Sequence, residues 1–208
     1  TLSKTNSSGQ VIFLTSTIKG EGKTFTALNL ALTFSSLNKK VLLIGADLRN
    51  PQLHRNLDVD KSVSGLSNYL IDSNIDWKKL LTSMKSEIKC DILLSGAIPP
   101  NPTQLLINGN LDKLLSEAKS MYDYIIVDTP PSLIVSDTIS ISHLSDLIVY
   151  VVRCNYTDKK ALNFLKDLIN DKKMNNVGLV LNALSSLNAN GYSYNYGYGY
   201  GYEADSNS

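Results

Sequence analysis

The apolar run Val11-Ile12-Phe13-Leu14 leads into Thr17-Ile18-Lys19-Gly20-Glu21-Gly22-Lys23-Thr24, and from Phe25 to Leu37 apolar residues recur at helical spacing. A strand that passes through a glycine-bearing turn into a helix is the context of a phosphate-binding loop. Backbone N–H groups of Lys19, Gly20, Glu21, Gly22, Lys23 and Thr24 are expected to curl around a β-phosphate. Phe25 completes the set at the start of a helix whose N-terminus favours an anion. Lys23 is expected to reach the β/γ oxygens, and the Thr24 hydroxyl to ligate Mg²⁺. A side chain at Gly20 or Gly22 would hold the backbone away from the anion. Such loops usually begin with glycine, and here that position is Thr17.

The rest of the chain continues the alternation. Val11–Thr15, Val41–Ala46, Asp91–Leu94, Tyr124–Asp128, Leu147–Arg153 and Val177–Asn182 read as strands, mostly continuous apolar runs of the kind buried on both faces of a parallel sheet. Helices are expected over Thr24–Leu37, Asp76–Met84, Leu111–Ser120, Ser136–Leu144 and Thr157–Lys172, with a short one over Thr103–Ile107 after the break at Pro99-Pro100-Asn101-Pro102. The pattern predicts an α/β fold: a doubly wound, mostly parallel sheet flanked by helices, with right-handed crossovers and ligands at the carboxyl ends of the strands. One domain is expected over residues 1–187, followed by a flexible tail, 188–208.

Two carboxylates fall where such a sheet would use them. Asp128 closes Tyr124-Ile125-Ile126-Val127 and precedes Thr129-Pro130-Pro131, the strand-end pattern in which a carboxylate holds a metal-bound water. Asp47 lies just past Val41-Leu42-Leu43-Ile44. A helix N-cap for Asp128 and an ordinary turn for Asp47 are the structural alternatives. Arg49 and Arg153 also lie at or beyond strand ends, as phosphate or partner contacts or as surface ion pairs. Asn182, ending the last strand, is a candidate for an adenine edge or a plain turn residue.

At 208 residues the chain can bury a core without disulfides or metals, and a net charge of +1 with interspersed signs gives no footprint for nucleic acid. Lys39-Lys40, Lys78-Lys79 and Lys172-Lys173 read as solvated helix ends. Cys90 and Cys154 read as buried thiols rather than a disulfide framework. His54 and His143 lack metal-ligand spacing, and no apolar stretch reaches bilayer-spanning length. Thr1 in place of an initiator Met is read as the start of an excised segment or processed chain, with any membrane anchor lying upstream.

Several linked stretches sharpen this picture: Leu14-Thr15-Ser16 through Thr24, Leu42 through Ala46-Asp47-Leu48-Arg49-Asn50-Pro51, Gly65-Leu66-Ser67, Pro99-Pro100-Asn101-Pro102 and Asp128-Thr129-Pro130-Pro131. In order and spacing, from about Gln10 to Leu184, they resemble the catalytic domain of bacterial tyrosine kinases, the BY-kinases of capsule and exopolysaccharide export. The resemblance implies ATP and Mg²⁺, with Lys23 and Thr24 on the phosphates and metal, and Asp128 as the carboxylate of the second Walker motif. The family's additional motif, Asp-x-Asp-x-Arg, has Gly45 at its first position here. Asp47 therefore inherits the place beside the metal and the incoming phenol. Partitioning ATPases carry a signature Lys at the second loop position, where this chain has Ile18, with Lys19 one residue too late.

Tyr192, Tyr194, Tyr196, Tyr198, Tyr200 and Tyr202 recur at every second position, separated by Ser, Asn and Gly. Such a segment cannot build a packed core, and it is expected to present its phenols to solvent; an edge strand or a sticky aromatic tail is the structural alternative. Tyrosine clusters at this end resemble the autophosphorylation tails of the family. By that resemblance the partners are a ring-like homo-oligomer, a membrane adaptor or fused transmembrane activator, and a phosphatase; the domain is cytoplasmic and held at the membrane through that anchor or partner. The family's oligomerisation helix precedes the loop, whereas Thr1–Gln10 is a short polar lead, so the fragment could be monomeric. A ParA/MinD-like ATPase switch without kinase activity and a catalytically decayed interaction module are the readings from other classes.

Overall fold

The computed structural model describes residues 8–57, 63–83, 90–132 and 137–184. Among them, β1 (Gln10–Ser16) leads into α1 (Lys23–Ser36), followed by β2 (Val41–Gly45), α2 (Leu53–Asn56), α3 (Leu66–Ile71), β3 (Thr82–Ser83) and β4 (Cys90–Leu93). After these come α4 (Pro102–Leu106), α5 (Asn110–Ala118), β5 (Tyr124–Asp128), α6 (Asp137–Ile141), β6 (Leu147–Arg153), α7 (Ala161–Asn170) and β7 (Val177–Asn182). The strands form one sheet in the order β3-β4-β2-β5-β1-β6-β7. All neighbours are parallel except the β3–β4 pair, so the expected doubly wound, mostly parallel architecture is what forms.

Alternation along the inner strands explains why their apolar runs are continuous. Val11 and Phe13 of β1, with Leu42 and Ile44 of β2, face a core closed by α3, α4, α5, α6 and α7. Ile12 and Leu14, with Val41 and Leu43, face a second core closed by Ala27 and Ala31 of α1 and Leu53 of α2. Both faces are covered, so the middle positions of β1, β2 and β5 are apolar on both sides. After Lys23, the buried residues of α1 are small and four apart, Ala27, Ala31 and Ser35, which lets the helix lie close to the sheet.

Three expectations are corrected. The helix over Asp76–Met84 is a single 3₁₀ turn, Trp77–Leu80, followed by β3. Trp77 is buried and donates to Glu117 Oε2 at 2.8 Å, and Lys78 pairs with the same carboxylate, so α5, forty residues on, dictates this segment. β7 is not buried on both faces: Leu179 and Leu181 are exposed at the edge of the sheet. Cys154 is only half-buried, while burial pushes the Cys90 thiol up to about 11 and keeps it protonated. The short helices α2 and α3 were not expected. The tail 188–208, its boundary at 187 and all the tyrosines from Tyr192 to Tyr202 lie outside the described residues. Among those described, no helix is long and apolar enough to cross a membrane.

Candidate nucleotide and phosphoryl-transfer site

Register brings the site together. Leu14 of β1 and Gly45 of β2 both pair with Asp128 of β5, which aligns the carboxyl ends of the three central strands. Beyond β2 the chain is pinned to β5, because the Ala46 N–H donates to the Asp128 carbonyl at 2.8 Å. Asp47, the next residue, therefore sits across from Asp128. Both are buried, and Asp128 ends its strand rather than capping a helix. Asp47 does serve its turn, accepting the Asn50 N–H on Oδ1 at 3.0 Å, but its other oxygen faces Lys23.

The Lys23 ammonium lies between the two carboxylates, 3.3 Å from Asp47 Oδ2 and 3.1 Å from Asp128 Oδ1. Burial opposes its charge, but Asp128 and Asp47 together outweigh that and hold its pKa above the usual lysine value. One cation against two buried carboxylates leaves an uncompensated negative charge. Burial, only partly offset by Lys23 and Thr24 and added to by Asp47, lifts the Asp128 carboxyl above its ordinary range. Thr24 donates its hydroxyl proton to Asp128 Oδ2 at 2.6 Å, which leaves the oxygen lone pairs for a cation. No group of three His, Cys, Asp or Glu side chains among the described residues could cage a metal ion. The donor set instead suits Mg²⁺ held by Thr24 and shared with phosphate oxygens, the carboxylates acting through the ion's waters.

Around this cluster the loop encloses a cavity of about 390 Å³, lined by Lys19, Gly20, Gly22, Lys23, Thr24 and Phe25 from the loop and α1, and by Asp47, Asn50 and Pro130 opposite. No side chain caps the N-terminus of α1, which leaves its first amides for an anion. Gly20 and Gly22 have φ of 89° and 93°. A Cβ at Gly22 would come within 2.1 Å of Asn182 Nδ2, so the glycine requirement comes from packing behind the loop as well as from the anion in front. Thr17 has no positive φ and is fully buried, so the loop does not need glycine there.

Of the remaining candidates, Arg153 and Asn182 support the loop from outside the cavity, while Arg49 lines it. Arg153 donates to the Gly20 carbonyl at 3.0 Å, and Asn182 Nδ2 to the Glu21 carbonyl at 3.0 Å. Arg49 is tied by its Nε to the buried Asp137 at 2.7 Å and donates to Thr103, so its ion pair joins an exposed guanidinium to a buried carboxylate. Sequence reasoning assigned Glu21 only through its backbone. Its carboxylate is buried, accepts the Ile18 N–H at 2.8 Å and the Thr157 hydroxyl, and so braces the loop from inside. Tyr156, which donates to the Lys19 carbonyl at 3.1 Å, was likewise missed. Nothing local marks Tyr156 or Thr157, because they reach the loop only through the β1–β6 pairing.

Gly45 leaves no room for the carboxylate the family motif would place there. A Cβ would lie 2.7 Å from Ser95 Oγ and 3.3 Å from the Ser95 nitrogen. Gly45→Asp is therefore expected to cost about 1–3 kcal/mol and to lower turnover rather than raise it. Ser95→Gly in the same chain should recover most of the loss, read by thermal melting and by initial rates side by side.

A family model described as an AAA domain matches residues 9–180. Tyrosine-protein kinase YwqD of Bacillus subtilis is 36% identical over 183 residues, covering 87% of this chain and 76% of that protein. Tyrosine-protein kinase CpsD of Streptococcus agalactiae serotype Ia is 31% identical over 176 residues, covering 85% of this chain and 75% of its own. Among solved structures, the kinase domain of Escherichia coli tyrosine kinase ETK superposes with a TM-score of 0.81 at 30% identity, covering 93% of this chain and 75% of that one.

Proposed function

The chain belongs to the bacterial tyrosine kinases, and from that premise we propose that it phosphorylates the tyrosines of its own C-terminal segment, Tyr192 to Tyr202, with ATP as donor. The observation that carries this reading is where the segment starts. Asn182, the last residue of β7, is bonded to the phosphate loop, and the tyrosine repeat begins ten residues further along the chain. The segment is therefore joined to the domain close to the back of the loop that carries Lys23.

In this mechanism Lys23 swings from the carboxylates to the phosphate oxygens, and the loop amides hold the donor in place. Thr24 and Asp128 would hold Mg²⁺, which supplies neutralisation of the charge on the transferring phosphoryl group. Asp47 accepts the proton of the incoming phenol, whose free pKa is about 10. The phenol oxygen bonds to the γ-phosphorus, the bond to the bridging oxygen breaks, and ADP leaves. Gly45 leaves Asp47 as the motif's sole carboxylate, so Asp47→Asn is expected to slow tyrosine labelling by about 10²–10³-fold with the melting temperature little changed. Near-normal initial rates would remove Asp47 from the reaction.

From Leu184 to Tyr192 is eight residues, at most roughly 26–29 Å when extended, so a neighbouring subunit's site is as accessible as the chain's own. We assign the transfer to the trans route within a homo-oligomer. Each phosphate adds about −1.5 to −2 charges, and several on one segment repel one another and loosen the assembly, making the reaction self-limiting. A membrane-bound activating segment, a phosphatase and the control of capsule or exopolysaccharide export complete the proposal, with the domain held at the cytoplasmic side of the membrane.

Two experiments test it. After incubation with Mg-ATP and an activating segment, mass mapping should show phosphate additions on residues 192–202. Phosphate release with no added mass would instead make the chain a nucleotide switch. Mixing a Lys23→Ala chain that keeps its tail with an active chain truncated after residue 187 should label the former, and an unlabelled tail would rule out the trans route.

A further inference from the structure

Beside the nucleotide cavity lies a second one, of about 290 Å³, between the turn after β2 and the loop after β4. Its walls include Pro51, Val63, Leu94, Ala97 and Ile98, with the exposed Arg55 among them. Asn50 lines both cavities, so the Asn50-Pro51 turn is all that separates them at that point. The space exists because small residues frame it: Ser95, Gly96 and Ala97 follow β4, and Gly45 ends β2 against Ser95. A cavity of about 150 Å³ holds a benzene molecule, so this one has room for a phenol ring.

The segment that must visit the site offers a matching pattern. Between Tyr192 and Tyr202 only Ser193, Asn195, Gly197, Gly199 and Gly201 separate the tyrosines, so the rings are the only large side chains by which the segment can be recognised. In an extended chain residues two apart share a face and stand about 7 Å from one another. A phenol in the nucleotide cavity and the ring two positions away call for two adjoining spaces, and the two cavities share Asn50 as a wall.

We propose that the cavity formed by Pro51, Val63, Leu94, Ala97 and Ile98 is an aromatic subsite that holds the tyrosine ring two residues from the acceptor, so that the alternating segment is read in steps of two. The inference rests on the autokinase reading and adds the reason for the spacing. Each step of two brings a fresh acceptor to Asp47 while its neighbour refills the subsite, and one pocket serves every tyrosine in the repeat. The same geometry rejects an isolated tyrosine flanked only by small residues.

The test uses the complete chain with Tyr198 as the single acceptor. In one form Tyr192, Tyr194, Tyr196, Tyr200 and Tyr202 become Phe, which keeps the rings; in the other they become Ser. With Mg-ATP and the activating segment, the Phe form should be labelled about tenfold faster, the effect of burying one ring. Ala97→Trp, which fills the cavity, and Ile98→Ala, which strips a wall at an exposed position, should each bring that ratio close to one. Equal labelling of the Phe and Ser forms overturns the subsite while leaving the autokinase reading intact. A ratio unchanged by both cavity variants also overturns it. Absence of phosphotyrosine on the unsubstituted tail overturns the autokinase reading itself, and the subsite with it.

Discussion

Replacing Lys23 by Met is expected to abolish tyrosine phosphorylation, with a loss of at least about 10²–10³-fold, while the fold persists. The ammonium is the one positive side chain in contact with both Asp47 and Asp128, and no other described residue pairs with either carboxylate by an ion pair. Its removal leaves two buried carboxylates facing each other, at a cost on the order of 3–5 kcal/mol, or a melting temperature lower by roughly 10 °C. In the wild type, Lys23 has a raised pKa, so its contribution is complete below the unfolded value of 10.5 and is lost only as pH rises through the higher folded value. In the variant the carboxyls take raised values, so stability is retained at low pH and lost as pH rises through them. The deficit against wild type should therefore be larger at pH 8 than at pH 5. Native circular dichroism with no phosphotyrosine is the expected pair of readouts, and retained labelling would count against the site.

Asp128→Asn should separate stability from activity in the opposite direction. The wild-type carboxyl is raised by burial, so its ionised form is a cost to the folded state, and the stability it contributes is lost as pH rises through its folded pKa. Asparagine keeps an acceptor for the Thr24 hydroxyl and leaves Lys23 paired with Asp47, making the cluster neutral. The variant's melting temperature at pH 7 should equal or exceed that of wild type by a few degrees. Labelling should fall by about 10²–10³-fold, since the group that works with Thr24 on the metal is gone. Calorimetry and initial rates on one preparation decide it; a marked loss of stability would show that the ionised carboxylate holds the fold together.

Much of the scaffold was legible because its signals are local. β5, β6 and β7 run over the spans expected for them, β1 extends one residue further at each end, and β2 stops one residue short. Apolar runs bounded by turn residues mark strands whatever their neighbours. The segment after Asp76 misled for the complementary reason. Its periodic apolar residues suit a helix, but Trp77 is claimed by Glu117 and Thr82 by Ile92 across the sheet, and those contacts outweigh propensity. At the site, Lys23, Thr24, Asp47 and Asp128 were found from spacing, and all of them converge. Arg153 and Asn182, expected as contacts to phosphate or an adenine edge, bond instead to the Gly20 and Glu21 carbonyls and brace the loop from behind.

The order of residues alone was enough for a strand-loop-helix that can receive a phosphate, for acids at the ends of two later strands, and for a run of alternating phenols. Those properties depend on neighbours within a few positions, where backbone preference and side-chain period operate. Only the folded sheet decided that Lys23 rests between two carboxylates, that Glu21 is an internal brace, that Gly45 is hemmed in by Ser95, and that a second cavity opens beside the first. Each depends on which strands lie side by side and in what register. That is settled by burying both faces of the sheet at once, and no short stretch of chain carries it.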